Sequence, residues 1–118
     1  MQKIERIVTN PRRGRAVTYN GILYVGGQAA DDRAQDIRGQ AAQALAKIDR
    51  VLAEAGSSKE RLLTAQIWMK DISRDFAGMN EIWDAWTNPQ HLPARATCQC
   101  EMGAPDALIE IIVTAAVA

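Results

Sequence analysis

AVTYNGILYVG, residues 16–26, sets two runs of strand-forming residues on either side of an Asn20-Gly21 pair. Both central residues of a type I′ turn need φ > 0, which Asn tolerates and Gly adopts freely. The segment therefore predicts a β-hairpin with strands at 16–19 and 22–26. Upstream, residues 4–8 carry β-branched side chains in near alternation and predict a first strand, closed off by Asn10-Pro11 and Gly14. Downstream, Asp31-Asp32 offers capping carboxylates for a helix over 34–55. Its apolar positions Ile37, Ala41, Ala44, Leu45, Ile48, Leu52 and Ala55 recur at steps of three and four, which gives one buried stripe. The many alanines in that stripe imply close approach to a sheet, and Gly56 supplies the stop.

Residues 62–72, LLTAQIWMKDI, predict a strand with both faces at least partly covered. Ser73 is the expected N-cap of a second helix over 75–86, with Phe76, Met79, Ile82, Trp83 and Trp86 at helical spacing. Asn88-Pro89 ends it. Strands at 94–101 and 108–116, joined through Gly103-Ala104-Pro105-Asp106, predict a second hairpin at the C-terminal end. The order β, ββ, α, β, α, ββ indicates an α+β fold: a six-stranded mixed or mostly antiparallel sheet with both helices packed on one face. The other face is left for solvent or partners, and Gln66, Trp68, Gln99 and Glu101 are its expected residues. One domain over 1–118 accounts for the whole chain, with no repeat or linker.

Composition narrows the function classes. The 118 residues are 47% hydrophobic, enough for a core, and 14 basic residues balance 14 acidic ones for a net charge of +0. That balance lacks the basic footprint of a nucleic-acid binder. The local cluster Arg12, Arg13 and Arg15 reads as a solvated loop. No run reaches the ~20 apolar residues of a membrane span, and the polar N-terminus lacks a signal-peptide core, so a cytoplasmic protein is expected. Cys98 and Cys100 are too close in sequence for an unstrained disulfide. Without further Cys or a nearby His they make a poor zinc site, so no metal or cofactor is expected, and both read as reduced, buried, small apolar residues.

Few residues suggest chemistry. His91, the only histidine, sits between Pro89 and Pro93 in a loop, without the elbow motif of a hydrolase, and reads as a surface or interface residue. Gly26-Gly27-Gln28 either lets a ligand approach the backbone or simply relaxes a strand end. Arg95 opens a strand directly after the 89–93 loop. With a period of two, Arg95, Thr97, Gln99 and Glu101 point one way and Ala96, Cys98, Cys100 and Met102 the other. The second set is small and apolar, suited to packing under a helix. The first carries a guanidinium whose planar fork grips a carboxylate bidentately. By residue chemistry alone, a structural ion pair at the strand end is the plainer role for Arg95.

DFAGMNEIWDAW at 75–86, LPARAT at 92–97 and IEIIVTA at 109–115 resemble the RidA/YjgF reactive-intermediate deaminase family. YNGILYVGGQ, the helix QAAQALAKIDRVLAEAGSS and the strand LLTAQIWMKDI resemble it in the same order, over nearly the whole chain. The resemblance implies a chorismate-mutase-like fold assembled as a homotrimer, with ligand clefts between subunits. It also implies hydrolysis of 2-aminoacrylate-type enamines, through their imine tautomers, to 2-keto acids and ammonia. By the same resemblance Arg95 binds the substrate carboxylate, Gly27 borders the ligand, Thr97 presents its backbone to that carboxylate, and Asn80 and Trp83 lie near the pocket. For Trp83 plain core packing serves equally. The last strand of deaminating members carries two acidic residues in alternation, the second assisting water. Here Glu110 is followed by Ile112, leaving Glu101 or solvent to substitute. That departure keeps a second function open, a non-catalytic trimer that binds or senses small carboxylates such as 2-keto acids. An RNA-cleaving or translation-inhibiting role fits poorly with the neutral charge and the isolated His91.

Overall fold

The computed structural model describes residues 3–117, so residues 1, 2 and 118 of the expected domain lie outside the described residues. In chain order the elements are β1 (Glu5–Thr9), β2 (Gly14–Tyr19), β3 (Ile22–Gln28), α1 (Ile37–Glu54), β4 (Leu62–Met69), α2 (Ile72–Trp86), β5 (Ala94–Gln99) and β6 (Ile109–Ala116). The strands form one six-stranded sheet in the order β1-β2-β3-β6-β4-β5. Every neighbouring pair is antiparallel except β4 and β5, so the sheet is mixed.

The first hairpin forms as its turn residues require: Asn20 and Gly21 sit at φ 55° and 80°, and Tyr19 pairs with Ile22. The expected C-terminal hairpin does not form. β6 inserts between β3 and β4, and α2 carries the chain over from β4 to a parallel β5 at the sheet edge. Side-chain character accounts for the placement. Ile109, Ile111, Val113 and Ala115 of β6 are at most 1% exposed, a face that only a central strand can bury, whereas polar ARATCQ suits an edge.

The helices begin elsewhere than expected, for one reason each. Asp36, not Asp31-Asp32, caps α1 by accepting from the Gly39 N–H at 2.9 Å. The carboxylate of Asp32 is engaged in its own turn by Ala34 N–H and the Gln35 amide, while Asp31 pairs with Lys47. Asp71, not Ser73, caps α2 through the Arg74 N–H, so β4 stops at Met69 and the helix starts at Ile72. On α2, Phe76 is 39% exposed, and Gly78 takes the buried position instead. A Cβ there would stand 2.9 Å from the Ile37 side chain, so the glycine sets how closely α2 meets α1.

α1 packs on β3, β6 and α2 and buries Ile37, Ala41, Ala44, Leu45, Ile48, Val51 and Leu52. With Leu23, Val25, Ala65, Ile67, Met69 and the inner face of β6 they make one core between the sheet and its helices. Gln40, 0% exposed, lies in the same face. Its Nε2 reaches the carbonyls of Arg33, Gln35 and Asp106 at 3.1–3.2 Å, and its Oε1 accepts from Leu108 N–H at 2.9 Å. One buried amide thus ties the approach to α1 to the approach to β6. The chain leaves α1 through Gly56 at φ 76°, with Gly56 N–H on Ala53 O and Ser57 N–H on Leu52 O, a Schellman closure. Nothing lies within 4 Å of where a Gly56 Cβ would stand, so Gly56→Ala isolates the backbone term. It should destabilise by about 1 kcal/mol, read as a lower urea midpoint at unchanged slope; an unchanged midpoint would mean the left-handed conformation carries no cost here.

Among the described residues, none forms a layer over the far side of the sheet. Tyr24 and Trp68 are 48% and 37% exposed there, and Gln66 is exposed as expected. Alternate residues of β4 are likewise exposed in the single chain, against the expectation that both its faces are covered. Glu110, Ile112 and Thr114 share this open face, opposite Trp68, Gln66 and Thr64. Among the described residues no helix is long and apolar enough to cross a membrane.

Candidate functional site

β5 pairs in parallel register with β4, Arg95 beside Ala65, Thr97 beside Ile67 and Gln99 beside Met69. Ala65, Ile67 and Met69 face the helices, and laterally paired residues share a face, so Arg95, Thr97 and Gln99 face the helices too. This reverses the expected assignment. The small set does not pack beneath a helix: Ala96 and Cys98 lie on the open face beside Gln66 and Trp68. Gln99 spends its Oε1 on the Ile72 N–H at 2.8 Å, helping to start α2.

Because β5 is an edge strand, Arg95 is exposed although it points toward the helix layer. Its guanidinium carbon lies 5.4 Å from the ring centroid of Trp83 on α2. Trp83 is only 5% exposed and tilts 47° against Trp86 at 5.7 Å. It is thus core and platform at once: one side packs in the interior and the other orients the arginine. Cation–π contact at such an exposed site is worth about 0.5–1 kcal/mol and leaves the in-plane N–H donors free to point outward. Among the described residues no carboxylate forms an ion pair with Arg95, so the structural ion pair is not what the strand end builds. Thr97, half-buried, follows two residues on, and half-buried Asn80 stands one helical turn before Trp83.

Gly27 lies apart from this group. It falls in a register shift of β3 between Val25 and Gln28, across from β6. A Cβ on Gly27 would come 2.7 Å from the Glu110 carboxyl carbon, so the missing side chain is what lets Glu110 fold against the strand. Glu110 belongs to the open face, Arg95 to the helix face, and β6 and β4 separate β3 from β5. Three strand spacings are about 14 Å. A single chain therefore gathers Arg95, Trp83, Thr97 and Asn80 at one edge and leaves Gly27 with Glu110 elsewhere.

The remaining candidates place simply. His91 is exposed, its N–H on the Asn88 carbonyl in the loop after α2. Neither cysteine is buried as expected: Cys98 is exposed and Cys100 half-buried, both as free thiols. Burial first, and then the neighbouring Cys98, push the Cys100 thiol above its ordinary value. Among the described residues no three His, Cys, Asp or Glu side chains are placed to hold a metal together. The Trp83 platform was legible as helical spacing, but nothing in the sequence announced that Arg95 would lie on it.

The pattern of the family described as endoribonuclease L-PSP matches residues 5–117. The RutC family protein YoaB of Escherichia coli is 40% identical over 114 residues, covering 97% of this chain and 98% of that one. A RutC family protein of Haemophilus ducreyi is 35% identical, with 97% of each chain covered. Among solved structures, a YjgF family protein of Neisseria meningitidis superposes with a TM-score of 0.94 at 37% identity, covering 98% of this chain and 96% of that one.

Proposed function

Since the chain belongs to the endoribonuclease L-PSP family, in which its relatives are YjgF and RutC proteins, we propose that it hydrolyses 2-imino acids, the tautomers of 2-aminoacrylate-type enamines, to 2-keto acids and ammonia. The observation that carries this reading is the Arg95 guanidinium, exposed at a sheet edge, over the Trp83 ring and, among the described residues, without an ion-paired carboxylate. An arginine so placed is a preformed receptor for a small carboxylate. Thr97 contributes backbone polarity to the same carboxylate, and Asn80 borders it.

Arg95 and Gly27 sit on opposite faces of one chain, so a small ligand touching both takes them from two chains. That supports a cleft between subunits of a homotrimer, with the open face carrying Tyr24 and Trp68 as the surface that association covers. Chemically the step asks for little. The imine carbon of a held substrate is electrophilic, water adds to it, and collapse of the carbinolamine expels ammonia and leaves the ketone. Arg95 cannot act as a base; it orients. Glu110, folded on Gly27, is the carboxylate we assign to positioning the water, in place of the second acidic residue that Ile112 removes.

The test is ammonia or keto-acid release when aminoacrylate is generated in situ by a lyase. The purified protein should accelerate release over buffer, and no acceleration would end the enzymatic reading. Ile112 favours a second reading, a binder of small carboxylates without turnover. Calorimetry with 2-ketobutyrate separates the two, since heat of binding without acceleration is the outcome only the binder gives.

A further inference from the structure

Gly26 and Gly27 leave a bare strip of backbone in the irregular part of β3, and two charged side chains close on it. Over Gly27 it is the Glu110 carboxylate. Over Gly26 it is Arg13, whose Nη1 lies 3.3 Å from where a Gly26 Cβ would stand and donates to the Gly27 carbonyl at 3.4 Å. The loop between β1 and β2 fixes the base of that arginine. Asn10 N–H donates to the Arg13 carbonyl at 2.8 Å, and Asn10 Oδ1 accepts from the N–H groups of Arg12 and Arg13 at 2.8 Å each. Arg13 is exposed, and among the described residues no carboxylate forms an ion pair with it. One long hydrogen bond to a neutral carbonyl leaves most of its five N–H donors unspent.

We propose that Arg13 is a specificity-determining residue that receives a second carboxylate, so that the preferred ligands are dicarboxylic: the 2-imino acids of acidic amino acids and the matching 2-keto diacids. This rests on the proposed carboxylate cleft, in which Gly27 borders the ligand and Arg95 of a second chain holds its first carboxylate. A ligand held there and lying along Gly26-Gly27 brings its far end to Arg13, whose fork suits a carboxylate. Charge favours the same choice. With the imine protonated and reactive, Arg95, Arg13 and the ligand nitrogen are three positive groups. Two ligand carboxylates and Glu110 are three negative ones. A monocarboxylic imine would leave one positive group unmatched in a cleft closed by association, where an unpaired charge is costly.

The test is titration calorimetry with 2-ketoglutarate and 2-ketobutyrate, a readout that needs no turnover. The wild type should bind 2-ketoglutarate about 10- to 100-fold more tightly, the usual worth of one charge-assisted pair. Arg13→Gln should bring the two affinities to within about threefold of each other. Arg13→Lys, which keeps the charge without the fork, should restore part of the preference. The ratio is diagnostic, because an arginine that only braced β3 through Gly27 would, once removed, weaken both acids alike. Equal affinities in the wild type, or a preference that survives Arg13→Gln, would overturn the assignment and leave the Arg95 cleft standing. Binding of neither acid would overturn both.

Discussion

Arg95→Ala should lower kcat/KM for imino-acid hydrolysis by about 100- to 1,000-fold while leaving the folded chain nearly as stable as before. The magnitude follows from losing a charge-assisted, bidentate grip on a carboxylate, about 3–4 kcal/mol where the partner charge is left unpaired, at about 1.4 kcal/mol per tenfold. Stability is a separate ledger. The side chain is exposed and its main intramolecular contact is the Trp83 ring at 5.4 Å, so its removal should cost no more than about 1 kcal/mol. Arg95→Lys keeps the charge but loses the fork and should recover only part of the rate. Steady-state kinetics beside urea denaturation make the comparison. Equal turnover by wild type and Arg95→Ala would dispose of the carboxylate anchor, and a large stability loss would recast Arg95 as structural.

Gln40→Ala should be among the most damaging single changes to the fold. The amide is fully buried and serves three carbonyls and one N–H, in segments 33–35 and 106–108 that no regular secondary structure satisfies. Truncation leaves those groups without partners in an interior that water does not reach, at about 1–3 kcal/mol for each group left unsatisfied. A total loss of about 3–5 kcal/mol is expected after partial relaxation, a large share of the stability of a domain this size. Urea denaturation gives the total, and hydrogen exchange locates it: amides at Leu108 and in the turn before α1 should lose protection first. A loss below about 1 kcal/mol would mean the two segments hold themselves. The residue sits in α1 one position before Ala41 of the apolar stripe, where helical periodicity marks a buried face but cannot say that a polar side chain belongs in it.

The parts of the fold that were legible rest on local backbone chemistry. Asn20-Gly21 has few conformations other than the one it adopts, and the stripe from Ile37 to Leu52 has one way to be buried. Strand order was not legible, because the strands 94–99 and 109–116 are close in chain but differ in how much apolar surface they carry. The fully apolar face of β6 took the central place beside β4, and β5 was left to the edge by way of α2. Each helix starts three residues from its expected first residue, because Asp31, Asp32 and Asp36 compete for the first cap and Asp71 and Ser73 for the second. Which of them wins depends on partners such as Lys47 and Gln35.

At Arg95 the division is clearest. Residue order is enough to set the chemistry: a permanent cationic fork, alternating with small residues, at the start of a strand that follows a proline-bounded loop. It also determined that Arg95 and Thr97 share a face. Which face that is comes from strand pairing, because a period of two is unchanged when the strand is turned over. Pairing with β4, whose Ala65, Ile67 and Met69 are committed to the core, breaks that symmetry. It lays the guanidinium on Trp83 and puts Gly27 and Glu110 out of its reach, across the sheet.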